Sequence, residues 1–156
     1  MPRRGCIKKR KIAEDPVYGN TVLHKFINKI TYDGKKSKAE KIMYAALEIV
    51  GAKLAKDPLD LFMKALENVS PLLEVKARRV GGATYQIPIE VSKSRSQAIG
   101  MQWLREAARD RGGKSMIENL SSEIMDACSG TGGAMKKKED LHKTAEANKA
   151  FAHFRW

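Results

Sequence analysis

Apolar residues recur along most of this chain at intervals of three and four, the spacing of helices that bury one face. Five such runs follow polar residues that often begin helices: Asn20, Ser37, Asp57, Ser94 and Ser115. A sixth run, with a weaker apolar stripe, follows the glycine-rich stretch 130–133 and continues to about Asn148. The pattern therefore predicts six helices.

The residues at these starts predict how each helix is capped. Asn20 can accept hydrogen bonds from the first free N–H groups of a helix, and Asp57 followed by Pro58 is a common helix start. Three further pairs have the spacing of a capping box, in which each side chain bonds the other residue's backbone. These pairs are Ser37 with Glu40, Ser94 with Gln97, and Ser115 with Glu118.

One stretch between the third and fourth runs differs, because strand-forming residues flank Gly81-Gly82. This pattern predicts a β-hairpin. If Arg79 pairs with Ala83 across a three-residue loop that begins at Val80, one face is apolar and the other is polar. A two-residue loop would mix both kinds of residue on each face, so we predict the three-residue loop. Because an isolated hairpin is marginal in water, its base should rest on the helices while its tip projects.

Together these elements predict a mainly α fold in one domain, with one protruding hairpin between the third and fourth helices. The predicted organisation is a basic N-terminal arm at 1–12, a helical domain at 13–150 that carries the hairpin at 72–91, and an aromatic C-terminal tail at 151–156. The arm holds six cations and no acid, so it cannot fold alone. The tail holds three rings, and exposed rings at a terminus suggest a binding surface.

The charge balance narrows the class of partner. The 156 residues carry a net charge of +12, which indicates a polyanion: nucleic acid first and an anionic membrane surface second. No apolar run of about 18 residues could span a bilayer, and no export signal follows the basic N-terminus. Cys6 and Cys128 do not make a disulfide framework and fit a reducing compartment. We expect a soluble protein that is not exported and does not span a membrane.

Basic side chains cluster where a nucleic-acid backbone could be held. Lysines around the start of the second helix oppose the helix dipole, which suggests a ligand that outweighs this mild cost. The hairpin tip combines cations with two glycines that let a backbone approach closely. Tyr85 beside it either stacks on a base or is an ordinary rim tyrosine, and we weigh the two equally. The candidate RNA-binding residues are Arg3, Arg4, Lys8, Lys9, Arg10, Lys11, Lys35, Lys36, Lys38, Lys41, Lys76, Arg78, Arg79, Tyr85, Lys93, Arg95, Arg109, Arg111 and Lys114.

No motif in the sequence groups residues that are suited to catalysis or metal binding. His24, His142 and His153 are scattered, and two cysteines cannot supply a structural zinc site. No nucleophile elbow, zinc-protease motif or dinucleotide fingerprint occurs. We predict no enzymatic activity, no cofactor and no metal.

Two other classes of nucleic-acid protein compete with an RNA-binding structural protein. A DNA-bending architectural protein is the main alternative, since a basic hairpin on a helical body also suits the minor groove. Such a protein normally presents a symmetric dimer with two arms, so a monomer in solution would count against it. A basic enzyme acting on nucleic acid comes last, because it needs a carboxylate or metal cluster that the sequence does not offer.

Five motifs spread over the chain resemble one known family. They are DPVYG at 15–19, KFIN at 25–28, DGKKS at 33–37, VGGATYQIP at 80–88 and ANKAFAHFRW at 147–156. Together they resemble the S-seven family of small-subunit ribosomal proteins, in its bacterial form, over essentially the whole chain. The resemblance implies a body of six helices with one β-hairpin arm.

The resemblance also implies a function. Proteins of this family are structural constituents of the small ribosomal subunit, bind the 3′ major domain of its rRNA and start assembly of the head. The hairpin lies near the exit-site tRNA and the mRNA, and the C-terminal region adjoins small-subunit protein eleven. Some bacterial members repress translation of their own mRNA. The expected location is the small subunit of a cytoplasmic ribosome, with the ribosome of an organelle as the alternative.

Overall fold

The computed structural model describes residue 5 and residues 11–154 of the chain. Its elements are α1 (Thr21–Ile30), α2 (Lys36–Leu54), α3 (Pro58–Val69), β1 (Leu73–Val80), β2 (Ala83–Glu90), α4 (Lys93–Asp110), α5 (Met116–Cys128), α6 (Gly133–Ala147) and a 3-10 helix (Lys149–Phe154). Strands β1 and β2 pair antiparallel. Over the described ranges, six α-helices with one hairpin between α3 and α4 confirm the predicted mainly α fold in a single domain.

Three of the predicted helix caps form. The Asn20 side chain accepts two backbone N–H bonds at the start of α1, the shorter of them 2.7 Å long. Asp57 Oδ1 accepts the Leu59 N–H at 2.8 Å, and Ser115 Oγ accepts the Glu118 N–H at 3.4 Å. Because each acceptor satisfies an N–H that has no partner within the helix, these caps set where α1, α3 and α5 begin.

The capping boxes predicted at Ser37 and Ser94 are wrong. Helices α2 and α4 begin at Lys36 and Lys93, which is one residue before each serine. Each serine therefore lies within the first helical turn instead of preceding it. The residue preceding each helix makes no side-chain cap bond. Before α2 the Lys36 N–H donates to the Gly34 carbonyl at 2.8 Å. This backbone turn leads the chain into the helix without a side-chain cap.

Helix α5 is the centre of the body and packs against α2, α3 and α4. Its Leu120 and Ile124 are completely buried, as are Phe26 and Phe62, whose rings lie 5.1 Å apart and link α1 to α3. Burial of each such side chain contributes roughly 1.5–3 kcal/mol. Trp103 on α4 is half-buried and packs against this core.

The hairpin has a two-residue loop, because Val80 pairs with Ala83 across Gly81 and Gly82. The predicted three-residue loop, with Arg79 opposite Ala83, is therefore wrong. Both glycines have positive φ, 58° and 91°. A turn with two such residues has a twist that matches the twist of the paired strands, whereas a side chain would strain it.

Both faces of the hairpin are partly covered, which explains their mixed composition. On one face Val75 lines a cavity together with Leu141 of α6. On the other face Glu74 contacts α4, and the Tyr85 ring lies 4.8 Å from that of Phe151 in the 3-10 helix. Since neither face is wholly exposed to solvent, the rule of one apolar and one polar face does not determine the register here.

A buried carboxylate fastens the start of α6 to the body. Glu123 is completely buried; its Oε1 accepts the Ala134 N–H at 2.8 Å, and its Oε2 lies 2.6 Å from Nη2 of Arg111. Asp126 pairs with the same guanidinium. Partial burial opposes the charge on Arg111, but these hydrogen bonds outweigh it and raise its pKa. We call Arg111, Glu123, Asp126 and Ala134 the Glu123 junction.

Candidate nucleic-acid interface

A first basic surface, the corner patch, surrounds the turn between α1 and α2. It consists of Tyr32, Lys35, Lys36, Lys38, Lys41 and Arg109. All four lysines are exposed, and the first turn of α2 contains no acidic residue. Lys35 lies 3.9 Å from Asp33, and Lys36 lies 3.8 Å from Glu40. Because such exposed ion pairs are weak, the patch presents positive charge to solvent.

Arg109 joins the end of α4 to this turn. Its Nη2 donates to the Ile30 carbonyl at 3.2 Å, and its guanidinium carbon lies 5.8 Å from the centroid of the Tyr32 ring. At this distance a guanidinium is attracted to the face of the ring. The ring is 69% exposed. A cavity of about 410 Å³ lies beside the ring and is lined by Ile30, Tyr32, Ile42, Arg109 and Met116.

The second basic surface, the hairpin patch, is formed by the hairpin and the start of α4. It consists of Lys76, Arg78, Arg79, Tyr85, Lys93 and Arg95. Glu74 of β1 is almost buried, and its carboxylate accepts from Nε of Arg95 at 2.6 Å and lies 3.6 Å from Nζ of Lys76. One carboxylate therefore holds cations of the hairpin and of α4 side by side.

Tyr85 lies at the rim of the hairpin patch and is half-buried. Its ring packs at an angle of 48° against Phe151, so the C-terminal segment covers part of the tyrosine. Packing of this kind is what an ordinary tyrosine at the rim of the patch would make, one of the two roles that the sequence left open. Stacking of Tyr85 on a base stays a prediction.

Helix α4 connects the two patches. Arg95 lies in its first turn and Arg109 in its last. Since the rise is 1.5 Å per residue, these two arginines are roughly 21 Å apart along the helix axis. One rigid element thus holds one arginine of each patch at a fixed spacing.

Two of the predicted RNA-binding residues lie outside both patches. Arg111 is engaged at the Glu123 junction, where two carboxylates surround its guanidinium. Lys114 is exposed in the loop before α5, two residues from Met116. The structure therefore gives Arg111 a role in the fold and leaves Lys114 facing solvent.

The predicted N-terminal arm falls largely outside the described residues. This applies to Arg3, Arg4, Lys8, Lys9 and Arg10, whereas Lys11 is described and exposed.

The point where the N-terminal segment enters the body is well defined. Asp15 is buried; its Oδ1 accepts the Tyr44 hydroxyl at 2.7 Å, and its Oδ2 accepts the N–H groups of Val17 and Tyr18. Burial and the hydrogen bond that its hydroxyl donates to Asp15 raise the pKa of Tyr44.

Comparison with known proteins adds to this geometry. Residues 2–149 match the model of a family described as ribosomal protein S7p/S5e. This chain belongs to the ribosomal protein S7p/S5e family. The resemblance inferred from the five sequence motifs is thus confirmed.

Curated relatives in the S7p/S5e family match over the whole chain. The proteins of Pelotomaculum thermopropionicum and Thermoanaerobacter pseudethanolicus are 59% and 57% identical over 156 residues, and each pair is covered completely. The protein of Caldicellulosiruptor saccharolyticus is 60% identical over 157 aligned residues, again with both chains fully covered. Each of the three is named small ribosomal subunit protein uS7.

Two residues that shape the patches in this S7p/S5e chain were not found from the sequence: Tyr32 is a member of the corner patch, and Glu74 contacts cations of the hairpin patch. Tyr32 was missed, although a single ring beside the Asp33-Gly34 turn and two lysines was a usable signal. Glu74 was assigned only to a polar strand face, because its contact with Arg95 spans 21 positions and depends on how the hairpin docks.

Metal-binding clusters and membrane-spanning helices are both absent from the described residues. No group of three or more His, Cys, Asp or Glu side chains there could hold a metal ion. In the same part of the chain, none of the helices is both long and apolar enough to cross a membrane.

Proposed function

We propose that this chain is a structural constituent of the small ribosomal subunit that binds the 3′ major domain of its rRNA and starts assembly of the head. The observation that carries the proposal is the pair of basic patches at the two ends of α4. Membership of the S7p/S5e family and the name of its relatives support the ribosome as the setting.

Affinity in this proposal comes mainly from phosphates. The lysines of the corner patch and the cations of the hairpin patch contact separate segments of the RNA backbone near the two ends of α4. The predicted arm at 1–12 adds further cations beside the body. Because each neutralised phosphate releases counterions, binding falls steeply as salt concentration rises.

Specificity in this proposal comes from the shape of the RNA. The major groove of an A-form helix is too narrow for side chains, so unpaired bases and the backbone geometry of a junction are what a protein can read. Two patches held at a fixed distance by one helix suit a folded junction better than a uniform duplex.

The finer parts of the proposal follow from the family resemblance. The hairpin patch lies near the exit-site tRNA and the mRNA, and the C-terminal segment adjoins small-subunit protein eleven. The relatives are bacterial proteins, which supports a bacterial cytoplasmic ribosome. Repression of translation from its own mRNA is an additional activity that the same RNA-binding surfaces could carry.

A salt-series titration tests the central claim. The full chain is titrated with a fragment of the rRNA 3′ domain, an unrelated RNA of equal length and duplex DNA. We expect preference for the rRNA fragment to persist at about 200 mM salt, where a complex driven by phosphates alone has lost several decades of affinity. Equal binding to all three, lost together as salt rises, would contradict the proposal and favour an architectural DNA-binding protein.

The contribution of the arm needs a separate measurement. Removal of residues 1–12 should weaken binding to the rRNA fragment and flatten the dependence of log K on log salt, because phosphate contacts are lost. If the truncated chain has the same slope as the full chain, the arm does not clamp the RNA.

A further inference from the structure

We propose that the corner patch holds one unpaired RNA base, stacked on Tyr32 beside the guanidinium of Arg109, while lysines of the patch hold the flanking phosphates. This inference rests on the proposed RNA-binding function. It adds a ligand chemistry, the face of a base, to a surface that was predicted from its charges alone.

The first observation is an exposed ring without a role in the core. Tyr32 is 69% exposed and lies in the turn after α1. Among the large hydrophobic residues that are exposed in the described part of the chain, it is the only one with a ring. Aromatic rings on nucleic-acid-binding surfaces commonly act as platforms for bases, because every base has a π face.

The second observation is the placement of Arg109. Its bond to the Ile30 carbonyl orients the guanidinium toward the ring, 5.8 Å from the centroid. An arginine held in this way offers a second flat, positively charged surface at which a base can stack. Ile42 and Met116 line the adjacent cavity of about 410 Å³, so a flat apolar group has room beside the ring.

The third observation is the charge around the ring. The Lys35 N–H bonds to the Tyr32 carbonyl at 3.0 Å, which keeps this lysine in the same turn as the ring. Lys38 lies one helical turn before Ile42 and therefore on the side of α2 that faces the cavity. Asp33 is the acid beside them, and it makes only the long pair with Lys35. Excess positive charge around a ring favours a polyanion over a protein side chain as the occupant.

The test compares three full-length chains: the unchanged protein, Tyr32→Phe and Tyr32→Ala. Each is titrated with the rRNA 3′-domain fragment over the same salt series. We expect Tyr32→Phe to bind like the unchanged protein and Tyr32→Ala to bind about 5- to 150-fold more weakly, since stacking on one base is worth roughly 1–3 kcal/mol. The salt slope should stay the same in all three, because no phosphate contact is removed.

A matched charge variant and a folding control make the result specific. Lys35→Gln should weaken binding and reduce the salt slope by roughly 0.7–0.9, which is the signature of one lost phosphate contact. The midpoint of thermal unfolding of Tyr32→Ala should equal that of the unchanged protein, because the ring is exposed.

An RNA series identifies the base. Fragments that carry a single abasic nucleotide at each unpaired position are titrated against the unchanged protein and Tyr32→Ala. At one position the abasic change and Tyr32→Ala should cost no more together than either costs alone, because both remove the same contact.

Two failures are distinguishable. If the unchanged protein prefers the rRNA fragment but Tyr32→Ala binds it equally well, the base platform is refuted while the proposed function stands. If the unchanged protein shows no preference for the fragment, the proposed function is refuted and the platform with it.

Discussion

Arg109 and Arg111 are two residues apart in the sequence and have opposite surroundings. Arg109 is exposed, lies against the Tyr32 ring and bonds only to a backbone carbonyl among the described residues. Arg111 is held by Asp126 and by the completely buried Glu123. The same residue type is therefore exposed on the proposed RNA surface at one position and is part of the fold at the other. The placement of carboxylates decides between these roles, and basic residue type alone does not.

The largest expected effect comes from removal of the buried carboxylate. Glu123→Ala leaves Arg111 without its buried partner and the Ala134 N–H without an acceptor, so we expect unfolding to require about 3–5 kcal/mol less free energy. Denaturant unfolding measures this. Glu139→Ala, on the exposed side of α6, is the control and should change stability by less than about 0.5 kcal/mol. Equal behaviour of the two variants would show that the Glu123 junction does not hold the fold.

Loss of charge at the two arginines tests the comparison directly. Arg111→Gln should lower the free energy of unfolding by roughly 1.5–3 kcal/mol, the usual contribution of hydrogen bonds to charged groups, and leave the salt slope of RNA binding unchanged. Arg109→Gln should leave stability nearly unchanged and weaken RNA binding, because the guanidinium beside the stacked base is lost. Unfolding and RNA titration are measured for both variants. The distinction fails if the two show the same pattern.

Glu74 is an intermediate case, since it holds cations of the hairpin patch that RNA could also use. Glu74→Gln releases Arg95 and Lys76, so we expect RNA affinity to rise by up to about fivefold, because such pairs are worth roughly 0.2–1 kcal/mol. Glu139→Gln raises the net charge equally without releasing either cation, and it should leave affinity nearly unchanged. A rise of the same size in both variants would indicate a general charge effect.

The smallest effect concerns a histidine that is a cation only when protonated. His142 Nε2 accepts the Leu72 N–H at 3.3 Å, which requires a neutral ring. Burial and the nearby Lys138 lower the pKa of His142 below its ordinary 6.5. Its neutral form therefore adds stability that is complete above pH 6.5 and is lost as pH falls toward the lowered value. Between pH 7 and pH 5 the unchanged protein should lose more free energy of unfolding than His142→Gln; equal losses would exclude this link.

Much of the fold was readable from local patterns. Asn20, Asp57 and Ser115 cap the helices that they were expected to cap, because each cap depends only on the next three residues. Ser37 and Ser94 show the limit of the same rule. A capping signal one residue inside a helix looks identical in the sequence, and the backbone turn that precedes it decides where the helix begins.

The register of the hairpin and the role of Arg111 could not be read in this way. The register prediction assumed one solvent-exposed face, whereas helices and the C-terminal segment cover parts of both. The partners of Arg111 lie 12 and 15 positions later, on α5. The pairing of cations with carboxylates depends on how the helices pack. A single sequence shows which residues are charged but not which of them pair.

The supports of the hairpin have a consequence for the order of events during synthesis of the chain. Its strands pair residues that are close in sequence, so the hairpin itself can close within microseconds. A lone two-stranded ribbon is only marginally stable, however. The contacts that hold it against the body include those of His142 and Phe151, which are synthesised well after both strands. The hairpin therefore gains these contacts only after α6 and the 3-10 helix have been made, and until then its cations lie on a ribbon with fewer supports.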